Sequence, residues 1–282
     1  METFSDPRLL TEWTQDVRAR AQTIAFVPTM GFLHEGHLSL IREARQRADH
    51  LVVSIFVNPL QFAPGEDLER YPADLAGDAA KCAALGCDVL FTPTEAALYP
   101  DGFQTRVQVG DLAVRLCGAS RAGHFEGVAT VVLKLFGLVR PNVAVFGTKD
   151  FQQLQIIRRM VRDFDLSVDV VGMPIVREPD GLAMSSRNVY LTSVEREQAL
   201  VLHRSLAAVQ DWVDGGERDV EVLLAQAQSL VAEQSLADID YLDIVDAEEL
   251  TALDHLVNGP ALAALAVRFG GTRLIDNRVI TL

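Results

Sequence analysis

The alternation of apolar and polar positions divides the chain into two regions of different rhythm. From Thr23 to about Val171, short continuous apolar runs alternate with stretches whose apolar residues recur at helical spacing. TIAFV (23–27), LVVSIFV (51–57), CDVLFTP (87–93), NVAVFG (142–147) and LSVDVVG (166–172) read as buried strands. HLSLIREARQRA (37–48), residues 73–85, GVATVVLKLFGLV (127–139) and KDFQQLQIIRRMVRDF (149–164) read as helices, the third largely buried. Strands with no polar face, separated by helices, predict a parallel sheet covered on both sides. The expected fold class is therefore α/β. It has a doubly wound, Rossmann-like sheet, with ligands at the carboxyl ends of the strands.

The second region begins near Val176 and forms a smaller α/β C-terminal domain. Thr192-Ser193-Val194-Glu195 is a capping box that predicts a long helix to about Val213. A helix over 219–235 and strands at IDYLDIV (239–245), ALAALAVRF (261–269) and RLIDNRVI (273–280) follow. The expected domains are residues 1–175 and 176–282.

Composition narrows the function. The 282 residues carry a net charge of −14, which argues against nucleic acid as a partner. Residues 188–282 hold 16 acidic against 6 basic side chains, so the first region is where an anionic ligand is expected. Cys82, Cys87 and Cys117 form no CxxC pair and suit neither a disulfide framework nor zinc. A reduced cytosolic setting is expected. The first residues show no signal pattern, and no apolar run is long enough to span a membrane. Of 25 basic residues only Lys81, Lys134 and Lys149 are lysines.

Five polar clusters fall where predicted strands meet helices or loops, the expected rim of one cleft. VPTMGFLHEGHLSL (27–40) places His34 and His37 at a helix start, where unpaired N–H groups and the dipole favour phosphate. Gly31 and Gly36 let the backbone approach a ligand. GTKDFQQ (147–153) offers Lys149 as a point charge, Asp150 as a cap or cation neighbour, and the amides of Gln152 and Gln153. REPDGLAMSSRNVYLT (177–192) puts Ser185, Ser186 and Arg187 on a loop expected to be mobile and to grip phosphates. Asn58 and Gln61 lie beyond a buried strand, and Arg121 and His124 precede a buried helix. Taken singly, each of those two pairs reads as a surface loop rather than a site.

PTMGFLHEGH, SIFVNPLQF, RAGHFEGVATVVLKLF, FGTKDFQQLQIIRRMV and DGLAMSSRN follow in one order and spacing. In these the chain resembles the pantoate–β-alanine ligases over essentially its whole length. The resemblance implies ATP-dependent joining of (R)-pantoate to β-alanine through an enzyme-bound pantoyl adenylate, releasing AMP and pyrophosphate. It also implies a cytoplasmic homodimer that binds no nucleic acid or membrane. The first domain would hold nucleotide and pantoate, and the second would act as a lid. His34, His37, Lys149 and Arg187 would be catalytic, with His37 foremost as proton donor. ATP would be held by Met30, Gly31, Phe32, Leu33, His34, Glu35, Gly36 and His37, and by Gly147, Thr148, Lys149 and Asp150. Val176, Met184, Ser185, Ser186 and Arg187 would complete that set. Gln61 and Gln153 would hold pantoate, and Gln61 β-alanine as well.

Some members of that family carry consecutive acidic residues after the Tyr-Pro of this segment, whereas here Tyr71-Pro72 is followed only by Asp74 and Asp78. No protein metal site is expected. Mg²⁺ would arrive on the ATP phosphates, with Asp78 and Asp150 at most touching its waters, or Asp78 would be a solvated helix residue. Two other readings share the fold. An adenylyltransferase acting on a nucleotide or phosphate acceptor would need a basic acceptor pocket. A non-catalytic nucleotide-binding regulator would show losses in the phosphate clusters, and none is seen.

Overall fold

The computed structural model describes residues 1–257 and 259–282, and divides into two compact units. The first unit takes in Met1–Gly110, Arg121–Thr148 and Ile156–Pro174. The second takes in Asp111–Ser120, Lys149–Gln155 and Ile175–Leu282.

The chain starts with β1 (Glu2–Phe4) and α1 (Pro7–Ala19), which the sequence reading from Thr23 leaves out. Asp6 caps α1 by accepting the Arg8 N–H at 2.8 Å, and Pro7 starts it where no N–H is needed. There follow β2 (Ile24–Thr29), α2 (Glu35–Arg47), β3 (His50–Ile55), α3 (Leu75–Ala84), β4 (Val89–Phe91), α4 (Glu95–Leu98) and α5 (Cys117–Ser120). The series ends with α6 (His124–Val139), β5 (Val143–Gly147), α7 (Phe151–Asp163) and β6 (Asp169–Met173).

Six parallel strands lie in the order β1-β4-β3-β2-β5-β6, the doubly wound arrangement expected. Ala25 and Val27 pack with Ile41 and Ala44 of α2 and Cys82 of α3 on one face. On the other face Phe26 meets Phe136 of α6 edge-on at 6.3 Å. The winding reverses between β2 and β5, so the carboxyl ends of these two strands are the expected ligand position.

One residue opens that position. The amides of His50, which starts β3, and of Phe56, just after it, bond to the carbonyls of Thr23 and Thr29, so odd-numbered residues of β2 face β3. Ile24 faces β5 instead, accepting the Asn142 N–H at 2.8 Å. By the same alternation Pro28 faces β5, and a proline has no N–H to give. Pairing between β2 and β5 covers Ala25–Val143 and Phe26–Ala144 and goes no further.

The second unit has its own core. After α8 (Ser193–Ala199), α9 (Val201–Asp214) and α10 (Val220–Ala232) come β7 (Ala237–Asp246), β8 (Ala261–Phe269) and β9 (Thr272–Ile280), an antiparallel sheet. Leu202, Leu206 and Val209 of α9 and Leu223 and Ala227 of α10 pack in one cluster with Leu265, Val267 and Phe269 of β8. The single helix expected to Val213 is two helices. The Thr192–Glu195 capping box forms as read. At Leu200, however, the N–H turns to the carbonyl of Glu197, three residues back, while the backbone stays right-handed. One turn tightens there, which interrupts the regular helical bonding without leaving helical geometry.

Candidate active site

The loop after β2 is set by a glycine and a buried carboxylate. Gly31 has φ +88°, and a Cβ there would stand 2.9 Å from Ile55 Cγ2, so no other residue fits without displacement. Phe32 also has positive φ, +51°. The two amides that this turn projects are taken by one side chain. Asp78 Oδ2 accepts the Phe32 N–H and Oδ1 the Leu33 N–H, both at 2.7 Å. Lys81 donates to the Leu33 carbonyl at 2.7 Å and stands 3.6 Å from Asp78 Oδ1. Asp78 is 1% exposed, so the reading of it as a solvated helix residue is overturned. It faces the backbone of the loop after β2 because α3 turns that side inward.

His34 is the N-cap of α2, with extended backbone, and His37 lies in the first turn. Their rings are 4.1 Å apart between centroids. Nδ1 of His37 accepts the His34 N–H at 3.3 Å, which leaves the neutral ring's proton on Nε2. The pair thus offers imidazole donors at a helix N-terminus, where the dipole favours anionic oxygen. Glu35 points away and pairs with Arg42 on the same helix.

Asn58 and Gln61 are not surface loop residues: they are 1% and 9% exposed. The sequence suggested a loop because both lie beyond a strand in a Pro-rich segment. They are buried because α6 lies hard against them. A Cβ on Gly127 would stand 2.3 Å from the Leu60 carbonyl oxygen. Asn58 Nδ2 donates to Gln61 Oε1 and to the Gly127 carbonyl, each at 3.1 Å, and Tyr99 donates to Asn58 Oδ1 at 2.8 Å. Gln61 Nε2 is directed at Met30 Sδ, 3.2 Å away, which brings the amide next to the histidine loop. Burial pushes the Tyr99 phenol up, so it stays a donor.

Arg121 and His124 join the same cluster. His124 Nε2 lies 3.1 Å from an Arg121 N–H and must accept, so its proton is on Nδ1, donated to the Gln61 carbonyl at 2.8 Å. Arg121 clasps Glu66 with two bonds of 2.7 Å. Burial pushes the Glu66 carboxyl up, but the Arg121 bonds and charge, with the Ala63 N–H, outweigh it and hold it below the usual range.

In the second unit the Lys149 carbonyl accepts the Asn277 side chain at 2.8 Å, and its ammonium stands 3.9 Å from Asp150. The two neighbouring amides part company. Gln152 is buried and fully used: its Nε2 donates to the Leu112 and Arg115 carbonyls at 2.8 and 2.7 Å, and its Oε1 accepts the Cys117 N–H at 3.0 Å. It is a structural residue, while Gln153 is half-buried.

The segment expected to be a mobile loop is a closed hairpin. Arg177 bridges to Ala183, Glu178 N–H bonds to Leu182 at 2.8 Å, and Met184 N–H to Val176 at 3.0 Å. Ser185 caps a single turn over Ser186–Tyr190 by accepting the Arg187 N–H. Asn188 ties that turn to Glu178 and to the Ala183 carbonyl. Arg177 pairs with Asp276 of β9 at 2.6 and 3.0 Å. Asp276 and Asn277 hold both the hairpin and the Lys149 backbone, and the sequence reading missed them. What marks them is burial: two adjacent polar residues, 2% and 7% exposed, in a strand that also carries Arg273 and Arg278, so no local sequence pattern singles them out.

The first unit thus presents paired imidazoles and a buried amide at the switch of the sheet. The second presents a lysine, a serine pair and an arginine on ordered turns. Among known proteins, the sequence model of the family described as pantoate-beta-alanine ligase matches residues 2–279. The pantothenate synthetase of Trichlorobacter lovleyi is 52% identical over 282 residues, covering 99% of either chain. The crystal structure of pantothenate synthetase from Thermus thermophilus superposes with a TM-score of 0.92 at 48% identity, covering 99% of both chains. The pantoate-beta-alanine ligase of Francisella tularensis, solved with β,γ-ATP and β-alanine, has a TM-score of 0.81 at 36% identity over 99% of this chain and 97% of its own. Likeness of this extent in sequence and fold together leaves one assignment: the chain belongs to the pantoate–β-alanine ligase family.

Proposed function

We propose that the chain ligates pantoate to β-alanine in two steps at the expense of ATP. A carboxylate is a poor acyl donor, because its leaving group would be oxide. In the first step a pantoate carboxylate oxygen attacks the α-phosphorus of ATP and pyrophosphate departs. In the second the neutral amine of β-alanine attacks the acyl carbon of the pantoyl adenylate. AMP departs, and the amine loses a proton.

The first step brings anion to anion, so positive charge and placement carry it. The observation that carries the reading is the His34–His37 pair at the start of α2, with the His37 proton on Nε2. That proton is a donor for phosphate oxygen as negative charge grows on it. Lys149 and Arg187 supply fixed charge, and the backbone from Met30 to His37 and from Gly147 to Asp150 holds the nucleotide. Val176, Met184, Ser185 and Ser186 flank it. Gln61 and Gln153 bind the pantoate hydroxyl and carboxylate groups, and Gln61 also meets β-alanine.

Mg²⁺ requires oxygen ligands, and both Asp78 oxygens already accept amides. Among the described residues no three His, Cys, Asp or Glu side chains group as a metal site. We place Mg²⁺ on the ATP phosphates, whose charge it offsets. No helix among the described residues is long and apolar enough to cross a membrane. By family resemblance the working form is a cytoplasmic homodimer.

Purified protein given ATP, Mg²⁺, pantoate and β-alanine should form AMP and pantothenate in equal amounts. Without β-alanine, it should exchange labelled pyrophosphate into ATP only when pantoate is present. Normal turnover without such exchange would overturn the order of steps.

A further inference from the structure

We propose that Asp78, braced by Lys81, is a positioning residue for adenylate formation, holding the His37 ring in place through the Leu33 peptide rather than binding Mg²⁺. The proposal rests on the adenylation reading of this site and adds to it. α3 grips Leu33 on both of its peptide groups. Asp78 takes the Leu33 N–H and Lys81 the Leu33 carbonyl, each at 2.7 Å. The adjoining Phe32 N–H, on a residue with positive φ, goes to the other oxygen of the same carboxylate. A positive φ on a bulky residue persists only where its surroundings hold it. The Leu33 carbonyl held by Lys81 shares its planar peptide with the His34 N–H, which bonds to His37 Nδ1 and fixes the ring's proton on Nε2. The line of contact therefore runs from α3 through Leu33 and His34 to the imidazole that faces phosphate.

The same geometry opposes a metal at Asp78. The carboxylate is 1% exposed, each oxygen has an N–H at 2.7 Å, and an ammonium stands 3.6 Å from one of them. A cation coordinated there would have to displace an amide from a group that water cannot reach, beside a like charge. Lys81 is one of three lysines in a chain that otherwise uses arginine, and this contact gives it a role.

The test uses Asp78→Asn, which keeps the shape and one acceptor, with Lys81→Met and Lys81→Arg as a less buried pair. Pantoate-dependent pyrophosphate exchange should fall about 30- to 100-fold in kcat for Asp78→Asn, with KM for ATP and the Mg²⁺ midpoint within about twofold of wild type. Lys81→Met should lose roughly tenfold and Lys81→Arg should recover most of that. In ¹⁵N spectra of the imidazoles, wild-type His37 should show the Nε2–H tautomer, and Asp78→Asn and Lys81→Met a mixture. A Mg²⁺ midpoint that rises in step with lost activity would make Asp78 a metal ligand and overturn the proposal. So would a lowered thermal midpoint with unchanged kcat and tautomer, which would make it structural only. If Asp78→Asn does not fold, the Lys81 pair decides alone. Absence of exchange in wild type would sink the adenylation reading, while the tautomer spectra still test the positioning.

Discussion

At Gly127 the backbone of α6 passes so close to Leu60 that there is no room for one methyl group. Gly127→Ala should cost about 1–3 kcal/mol of stability by overpacking. Because Asn58 bonds to the Gly127 carbonyl and to Gln61, it should also raise KM for pantoate; calorimetry and steady-state kinetics check the two effects separately. His37→Ala and Lys149→Ala should behave in the opposite way. Each should lose about 3–4 kcal/mol of transition-state stabilisation, with a thermal midpoint close to wild type. Near-normal kcat/KM with a large loss of stability would show these residues to be structural. The histidines were legible in the sequence because a ligand-type residue pair coincided with a helix start. Gln152 and Gln153 were not separable there. Consecutive helical residues point about 100° apart, and only the packed helix decides which amide turns inward. Asp78 was legible as an oddity, but its partners are 46 and 45 residues away in the chain and no local pattern announces them.

At the scale of elements, the parallel strands and their helices were legible because buried runs and amphipathic stretches differ in period. The three-residue β1 was missed, since so short a segment has no period to read. The break at Leu200 was missed because its backbone stays in the helical region and nothing in composition marks it. One helix also carries a pH dependence. His203 of α9 lies under the turn of the 177–183 hairpin, with Cδ2 2.8 Å from where a Gly181 Cβ would be. Burial first, then the charges of Arg177 and Arg278, hold its imidazole below the ordinary value, and Asp276 opposes them only in part. The unfolded chain therefore takes up the proton first. Stability should be complete above about pH 6.5 and should fall as the pH drops from there through the lower folded value. Denaturant midpoints between about pH 8 and 5 should slope downward in wild type and flatten in His203→Gln; an equal slope in both would assign the effect elsewhere.

For the whole molecule, with a net charge of −14, the proposed arrival of Mg²⁺ on ATP is open to a thermal test. Mg²⁺ alone should leave the thermal midpoint unchanged below millimolar concentration. ATP with Mg²⁺ at about 100 times its Kd should add about 2.7 kcal/mol. A rise with Mg²⁺ alone, lost in Asp78→Asn, would contradict both the route and the role given to that carboxylate. Pro28 has a consequence at this scale too. A residue with an N–H at that position would let β2 and β5 go on pairing, and the protein would resist heat better for it. Laboratory evolution that rewards survival at high temperature without scoring turnover should therefore replace Pro28 early. Its surviving lineages should be poorer ligases, a trade between robustness and work written into one missing hydrogen.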